Sequence, residues 1–361
     1  MQMVGAGIDR WSQHGCGGNT RAPLIVPAAA GAGREPPRHA PNLVPLRPSR
    51  QRPLSGTTGH QCRDTGLADR PRPCQLPRWT LHLPPETLCL MSGIEDISMT
   101  NRFGAAERIA RSGGALALDY FRQLDSLLIE DKGPQDFVSE ADKAVELHIR
   151  AAIEAAFPDD GIVGEEHAPK PSRSGYVWII DPIDGTSNFI AGIPVWCVVI
   201  AIVKDDATQI GVTFDPVHDE MFLARRGGGA TLNGAQIRCP SDRTITRGSV
   251  STGYCARISA EETLRLLEGV LSRGGVFHRN ASGALSLAYV AAGRLIGYIE
   301  GHMNPWDCLS GQLLVHEAGG QVENQSAETM ITEGGRVVAG GAGVFETLVE
   351  IADAAIGKGS T

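Results

Sequence analysis

The sequence predicts an α/β protein in two parts, an α+β half over residues 99–243 and an α/β half over residues 244–361, behind a Pro- and Arg-rich extension over residues 1–98. Three observations carry this expectation. Apolar residues recur at helical spacing after Asn101, a block of apolar and alternating strand patterns follows, and helix and strand patterns then alternate to the C-terminus.

The extension holds most of the 22 prolines, and stretches such as residues 34–37 and 70–73 show neither helical nor strand periodicity. Such a segment cannot bury enough apolar surface to offset chain entropy, so disorder is expected. An Arg-rich, acid-poor leader also fits a targeting peptide or a polyanion-binding arm, although no convincing amphipathic helix accompanies it. Met91 and Met99 stand just before the first organised segment, so the extension also reads as lying upstream of the true start.

Phe103, Ala106, Ile109, Ala110, Leu116, Ala117, Tyr120 and Phe121 predict the first helix, with Gly113-Gly114 weakening its middle. Ser139 can cap a second helix, which runs through Val145, Ile149 and Ile153 to a turn at residues 158–161. Strands are expected at residues 176–180, stopped by Asp181-Pro182, and at 195–203, whose continuous apolar run suits burial on both faces. Residues 209–214, 220–224 and the pieces around Asn233-Gly234 read as a meander. Beyond them come a strand near Val250, helices over 261–272 and 282–291, and a strand over 295–300. A helix over 305–318, a strand near Val337 and a last helix from Val344 complete the chain.

Composition narrows the function. A net charge of −8 argues against a general nucleic-acid binder and suits a protein that gathers carboxylates around cations. The eight cysteines form no C-x-x-C pair, which excludes zinc and thioredoxin-like spacing and favours free thiols in a reducing cytoplasm. No apolar run reaches the roughly 18–20 residues that span a bilayer.

Three segments carry candidate chemistry: Gly164-Glu165-Glu166, Asp181-Pro182-Ile183-Asp184-Gly185-Thr186, and Asn304-Pro305-Trp306-Asp307. A strand ending in Asp-Pro leaves its sheet abruptly, so Asp181 and Asp184 can point into one space with the Ile183 carbonyl between them. Hard cations such as Mg²⁺ take this kind of oxygen-only shell. Gly185 allows a phosphate close to the backbone, and Thr186 adds a hydroxyl there. Each residue also has a plainer use. Asp181 and Asp184 suit a turn, Asp307 suits a helix cap opened by Asn304, Glu165 and Glu166 suit a solvated pair, and Asp142 suits the capping box of Ser139. The joint occurrence decides between them.

The order G-E-E, then W-I-I-D-P-I-D-G-T-S-N-F, then W-D and E-A-G-G resembles the inositol monophosphatase family, over essentially everything from Asn101 onward. The resemblance implies an αβαβα layered sandwich of the inositol monophosphatase and fructose-1,6-bisphosphatase type. It further implies a soluble homodimer acting as a Mg²⁺-dependent, lithium-sensitive phosphomonoesterase with two or three cations per site. By the same likeness Glu165, Asp181 and the Ile183 carbonyl match the ligands of a first metal, and Asp181, Asp184 and Asp307 those of a second. Glu165 and Thr186 match the pair that activates the attacking water, Gly185 and Thr186 the phosphate cradle, and Asp142 a carboxylate near an outer metal. Glu300 matches a glutamate that accepts hydrogen bonds from substrate hydroxyls. Ala281-Ser282-Gly283 falls where the family lines the alcohol pocket, with alanine where many members have glycine. His302 is expected as a pocket wall.

The substrate implied is a small polyol phosphate, myo-inositol 1-phosphate first. Histidinol phosphate is the alternative, because Gly192-Ile193-Pro194-Val195-Trp196 has the flavour of that relative. A non-catalytic regulatory member is a further reading, against which the retention of every ligand and of Thr186 speaks. An RNA- or polyanion-associated protein acting through the arginine-rich leader is another, in which removal of the residues before Met99 abolishes function and leaves phosphatase activity intact.

Overall fold

The computed structural model describes residues 85–133, 136–255 and 257–358, all within one unit, Trp79–Thr361. Residues 1–84, most of the expected extension, lie outside them. Helix α1 (Pro85–Phe121) begins well before Asn101 and is followed by an antiparallel hairpin of β1 (Ile129–Gly133) and β2 (Asp136–Ser139). Helix α2 (Glu140–Ala156) starts on a capping box: Ser139 Oγ accepts the Ala141 N–H at 3.2 Å, and the Asp142 carboxylate accepts the Ser139 N–H at 2.9 Å. The Gly113-Gly114 pair is a place of close approach and not a weak point. A Cβ on Gly113 would stand 2.9 Å from Ile149 Cδ1, and one on Gly114 would stand 2.6 Å from the Phe214 ring.

The first large sheet takes its strands in chain order: β3 (Gly161–Gly164), β4 (Val177–Asp184), β5 (Cys197–Lys204), β6 (Ala207–Asp215), β7 (Glu220–Arg225), β8 (Gly229–Leu232) and β9 (Ala235–Gln236). Only the β3–β4 pair is parallel, and a one-turn helix, α3 (Thr186–Ile190), links β4 to β5. The expectation that Asp181-Pro182 stops the fourth strand needs correcting. Strand β4 runs on to Asp184, and the missing proline donor is absorbed by a bulge between Asp181 and Asp184.

The second sheet is built from β10 (Ser249–Thr252), β11 (Val276–His278), β12 (Gly297–Met303), β13 (Gln321–Val322) and β14 (Gly335–Gly340), in the order β11-β10-β12-β14-β13. Its helices are α4 (Ala260–Ser272), α5 (Gly283–Ala291), α6 (Pro305–Glu317), α7 (Ala327–Glu333) and α8 (Phe345–Ile356).

Strand alternation sorts the side chains into three larger cores and a small cluster of Cys197, Val199, Ala284 and Leu285. Trp178, Ile180, Ile200 and Val212 pack with Ala106, Val145 and Ile149 of α1 and α2. Ile179, Ala201 and Phe222 face the other way, onto Leu287, Leu309 and Leu313 of α5 and α6, which also meet Tyr298, Val337 and Ala339 of the second sheet. Val250, Ile299 and Val338 pack with Leu266, Leu348 and Ile351 of α4 and α8. The result is an αβαβα sandwich with α5 and α6 as its central layer. That layer places the start of α6 beside the end of β4.

Candidate metal centre and cavity

The turn after β4 is held from beneath. Gly185 adopts φ 102, and a Cβ there would stand 3.0 Å from the Val195 carbonyl, so the position takes glycine for conformation and for space. Phe189 of α3 packs edge-on against Trp196, ring centroids 4.9 Å apart, and Phe121 closes the cluster at 5.3 Å from Phe189. Asn188 donates to the carbonyls of Val195 and Asn280, each at 2.7 Å, which ties the turn to the opposite wall.

On this frame the structure brings Asp181, Asp184 and Asp307 together, with carboxylate oxygens within 4.8 Å of one another. Each is anchored through one oxygen. Asp181 Oδ1 accepts the Ile183 N–H at 2.9 Å, across the bulge. Asp184 Oδ2 accepts from Ser282 Oγ at 2.5 Å and the Ala284 N–H at 2.8 Å, with Cys197 Sγ at 3.7 Å. Asp307 Oδ2 accepts from the Asn304 N–H at 3.3 Å and its side-chain amide at 3.2 Å. The arrangement leaves the second oxygen of each to the cluster. Asp307 is thus a helix cap and a cluster member at once.

Glu165 lies in the loop after β3, outside the 4.8 Å triad but near enough for its charge to act on Asp181. Buried Glu146 of α2 holds this loop by accepting the Glu166 N–H at 2.7 Å, and Arg150 secures Glu146 at 2.7 Å. Gly164 makes room for it, since a Cβ there would meet Glu146 Oε1 at 2.2 Å. Ile183 is fully buried, and its carbonyl accepts from Thr186 Oγ1 at 3.1 Å. Thr186 Oγ1 also stands 3.2 Å from Asp142 Oδ1, while Asp142 Oδ2 serves Ser139. One Asp142 oxygen thus serves the helix cap and the other the Thr186 hydroxyl.

The electrostatics follow from burial. Desolvation, then the charges of Glu165, Asp307 and Asp184, push Asp181 well above the usual carboxylate range. Burial raises Asp184 too, against the hydrogen bonds of Ser282 and Ala284. Burial and the Asp184 charge push Asp307 up to about 7. Among the described residues none of the three forms an ion pair with Lys or Arg, so the cluster holds like charges without a protein counter-cation.

The cluster opens onto a cavity of about 200 Å³. Glu300 lines it with Tyr298, Ser286, Asn280 and His302. Tyr298 donates its hydroxyl to Glu300, and burial pushes the Glu300 carboxyl up to about 7. Ala281, on the same wall, stands at φ 58, the left-handed region that favours glycine. The sequence pointed to Ser282 only as pocket lining, whereas it holds Asp184. Glu146, Tyr298, Arg257 and Arg279 carried no local signal, because their partners lie far away in the chain.

Known proteins resemble the chain over this same region. The inositol monophosphatase family profile matches residues 99–356. A protein of Pseudomonas aeruginosa named Nus factor SuhB is 36% identical over 251 residues, 68% of this chain and 93% of that protein. The crystal structure of the extragenic suppressor protein suhB from Bartonella henselae superposes with a TM-score of 0.64 at 31% identity, covering 70% of this chain and 96% of that one. A Thermotoga maritima IMPase gives a TM-score of 0.64 at 28% identity, over 71% of this chain and 98% of that one.

Proposed function

The chain belongs to the inositol monophosphatase family, and on that premise we propose that it is a Mg²⁺-dependent phosphomonoesterase that hydrolyses a small polyol phosphate, with myo-inositol 1-phosphate the first candidate. One observation carries the reading. Asp181, Asp184 and Asp307 converge beside a cavity, each tied to the scaffold by one oxygen, and among the described residues none of them forms an ion pair with Lys or Arg. A buried all-oxygen donor set with raised carboxyl pKa values fits a hard divalent cation.

Glu165, Asp181 and the Ile183 carbonyl would hold one Mg²⁺, and Asp181, Asp184 and Asp307 a second, with Asp142 near any third. When bound, such cations polarise water and neutralise the departing alkoxide. The chain's own groups do the positioning. The single proton of Thr186 serves the Ile183 carbonyl or Asp142, at 3.1 and 3.2 Å, which leaves its lone pairs to accept from the attacking water. Glu165 orients the same water and takes its proton. The amides of Gly185 and Thr186 cradle the phosphate, and Glu300 accepts from a hydroxyl of the alcohol. Sensitivity to lithium and a homodimeric assembly belong to the same proposal.

Phosphate release from inositol 1-phosphate is expected to need Mg²⁺ and to stop with chelator. Asp184→Asn is expected to lower it about a thousandfold, the several kcal/mol that cation-based stabilisation supplies, while keeping the circular dichroism of the parent. Full activity in that variant would overturn the reading. Histidinol phosphate assayed alongside decides between the two alcohols.

The name Nus factor SuhB, carried by the Pseudomonas relative, favours a second reading in which the chain also has a regulatory role. Asp184→Asn chains that still support cells depending on this protein would favour that role over catalysis.

A further inference from the structure

The cavity carries two cations that the proposed reaction does not use. Arg257, ahead of α4, and Arg279, just after β11, both line it together with Asp184 and Asp307, and both are exposed. Other arginines of this acidic chain close on carboxylates: Arg102 on Asp160 and Arg150 on Glu146, each at 2.7 Å, and Arg294 on Glu220 at 2.5 Å. Neither Arg257 nor Arg279 forms such a pair with a described residue. The field of Arg279 reaches Glu300 and that of Arg257 reaches His302, so both charges act on the cavity interior.

A guanidinium presents N–H donors in a planar fork that matches an oxyanion. In the proposed reaction the scissile phosphate is held at the aspartate side, by cations and backbone. The hydroxyls of a neutral polyol find Glu300, Ser251, Thr252 and Ser286 on the same walls. Neither group accounts for two unpaired arginines.

We propose that the cavity contains a subsite for a second oxyanion, carried on the leaving alcohol and read by Arg257 and Arg279. The preferred substrate is then a polyol phosphate that bears a second phosphate or a carboxylate. This inference rests on the phosphatase reading for the bond that is cut. Recognition of the second anion is a binding property and is measured separately.

Two matched pairs of compounds test it: inositol 1-phosphate against inositol 1,4-bisphosphate, and sorbitol 6-phosphate against 6-phosphogluconate. The added anion is expected to raise kcat/KM tenfold or more in at least one pair, which also says whether phosphate or carboxylate is preferred. Replacing both arginines, R257Q with R279Q, is expected to erase that preference through KM. Equal turnover within both pairs overturns the proposal. So does a preference that survives in the double variant, since arginines that merely attract anions would change both members of a pair alike. Should no compound release phosphate, the phosphatase reading falls, and calorimetric titration of the same pairs still decides. Tighter binding of the doubly anionic member that is lost in the double variant supports the subsite; equal affinities overturn it.

Discussion

Two buried acidic regions of the molecule use the same residue type in opposite ways. At Asp160 one carboxylate meets Arg102 at 2.7 and 2.8 Å, Ser174 at 2.6 Å and the Trp178 indole at 2.8 Å. Burial raises its pKa, but the hydrogen bonds of Arg102, Ser174 and Trp178 outweigh that, and the group ends below the usual carboxylate range. At Asp181, Asp184 and Asp307 burial raises all three carboxyls, with neighbouring carboxylate charge adding to it at Asp181 and Asp307, while the hydrogen bonds at Asp184 do not outweigh burial. The first region is finished by the chain itself. The second gathers like charges that a bound cation would balance under the proposed function, so the difference separates a self-satisfied carboxylate from a candidate functional set.

The largest test of this contrast removes the cation from the finished region. Arg102→Met would leave Asp160 buried and unpaired, and an expected loss of about 3–5 kcal/mol would register in chemical denaturation. The Tyr176 ring, 3.8 Å from the guanidinium, adds to that loss. Asp181→Asn, which removes one of several like charges, is expected to leave the metal-free protein as stable as the parent or more so. Equal destabilisation by both would break the comparison.

A smaller effect sharpens it through pH. Asp307 and Glu300 have folded pKa values of about 7, above those of the unfolded chain. Between the two values the folded state binds more protons, so stability falls as pH rises through that window. Lowering the pH from 8 to 6 is therefore expected to stabilise the chelator-treated protein by on the order of 1 kcal/mol per group. Asp160, with a lowered pKa, contributes nothing across this range, because its stability is lost only below it. Added Mg²⁺ is expected to reverse the trend, since cation and protons compete for the same oxygens. Thermal melts at the two pH values, with and without Mg²⁺, read both slopes.

The smallest effect concerns one strained backbone position on the functional side. Ala281 holds φ 58 next to the Ser282 that anchors Asp184. Ala281→Gly is expected to stabilise the protein by about 1 kcal/mol or less, the relief of a left-handed L-residue offset by the added freedom of glycine. Destabilisation, measured by denaturant midpoint, would mean that the methyl group packs usefully.

Much of the fold was legible because its strands and helices announce themselves by period. The apolar run that became β5 and the helical patterns of α2, α4 and α6 lie within a residue or two of where they were expected. Elements that escaped notice are short or lack a pattern. β1 reads Ile-Glu-Asp-Lys-Gly, β3 has four residues with a glycine at each end, and α3 has five residues. The bulge at Pro182 was hidden for a different reason. A strand resumes after a proline only when a neighbouring strand offers partners on its far side, and β5 does so at Cys197.

The sequence by itself determined what is local: the Asp181-to-Thr186 segment, the capping residues Ser139 and Asn304, and the glycine that a φ of 102 demands at 185. Only the tertiary structure decided which carboxylates meet. Asp307 reaches Asp181 because α6 is wedged between the two sheets, Glu146 steadies the Glu165 loop because α2 crosses behind it, and Arg257 and Arg279 share a cavity because β10, β11 and β12 pair in parallel. Local conformation is set by neighbours a few bonds away. Convergence depends on how whole layers pack, and no short stretch of sequence carries that information.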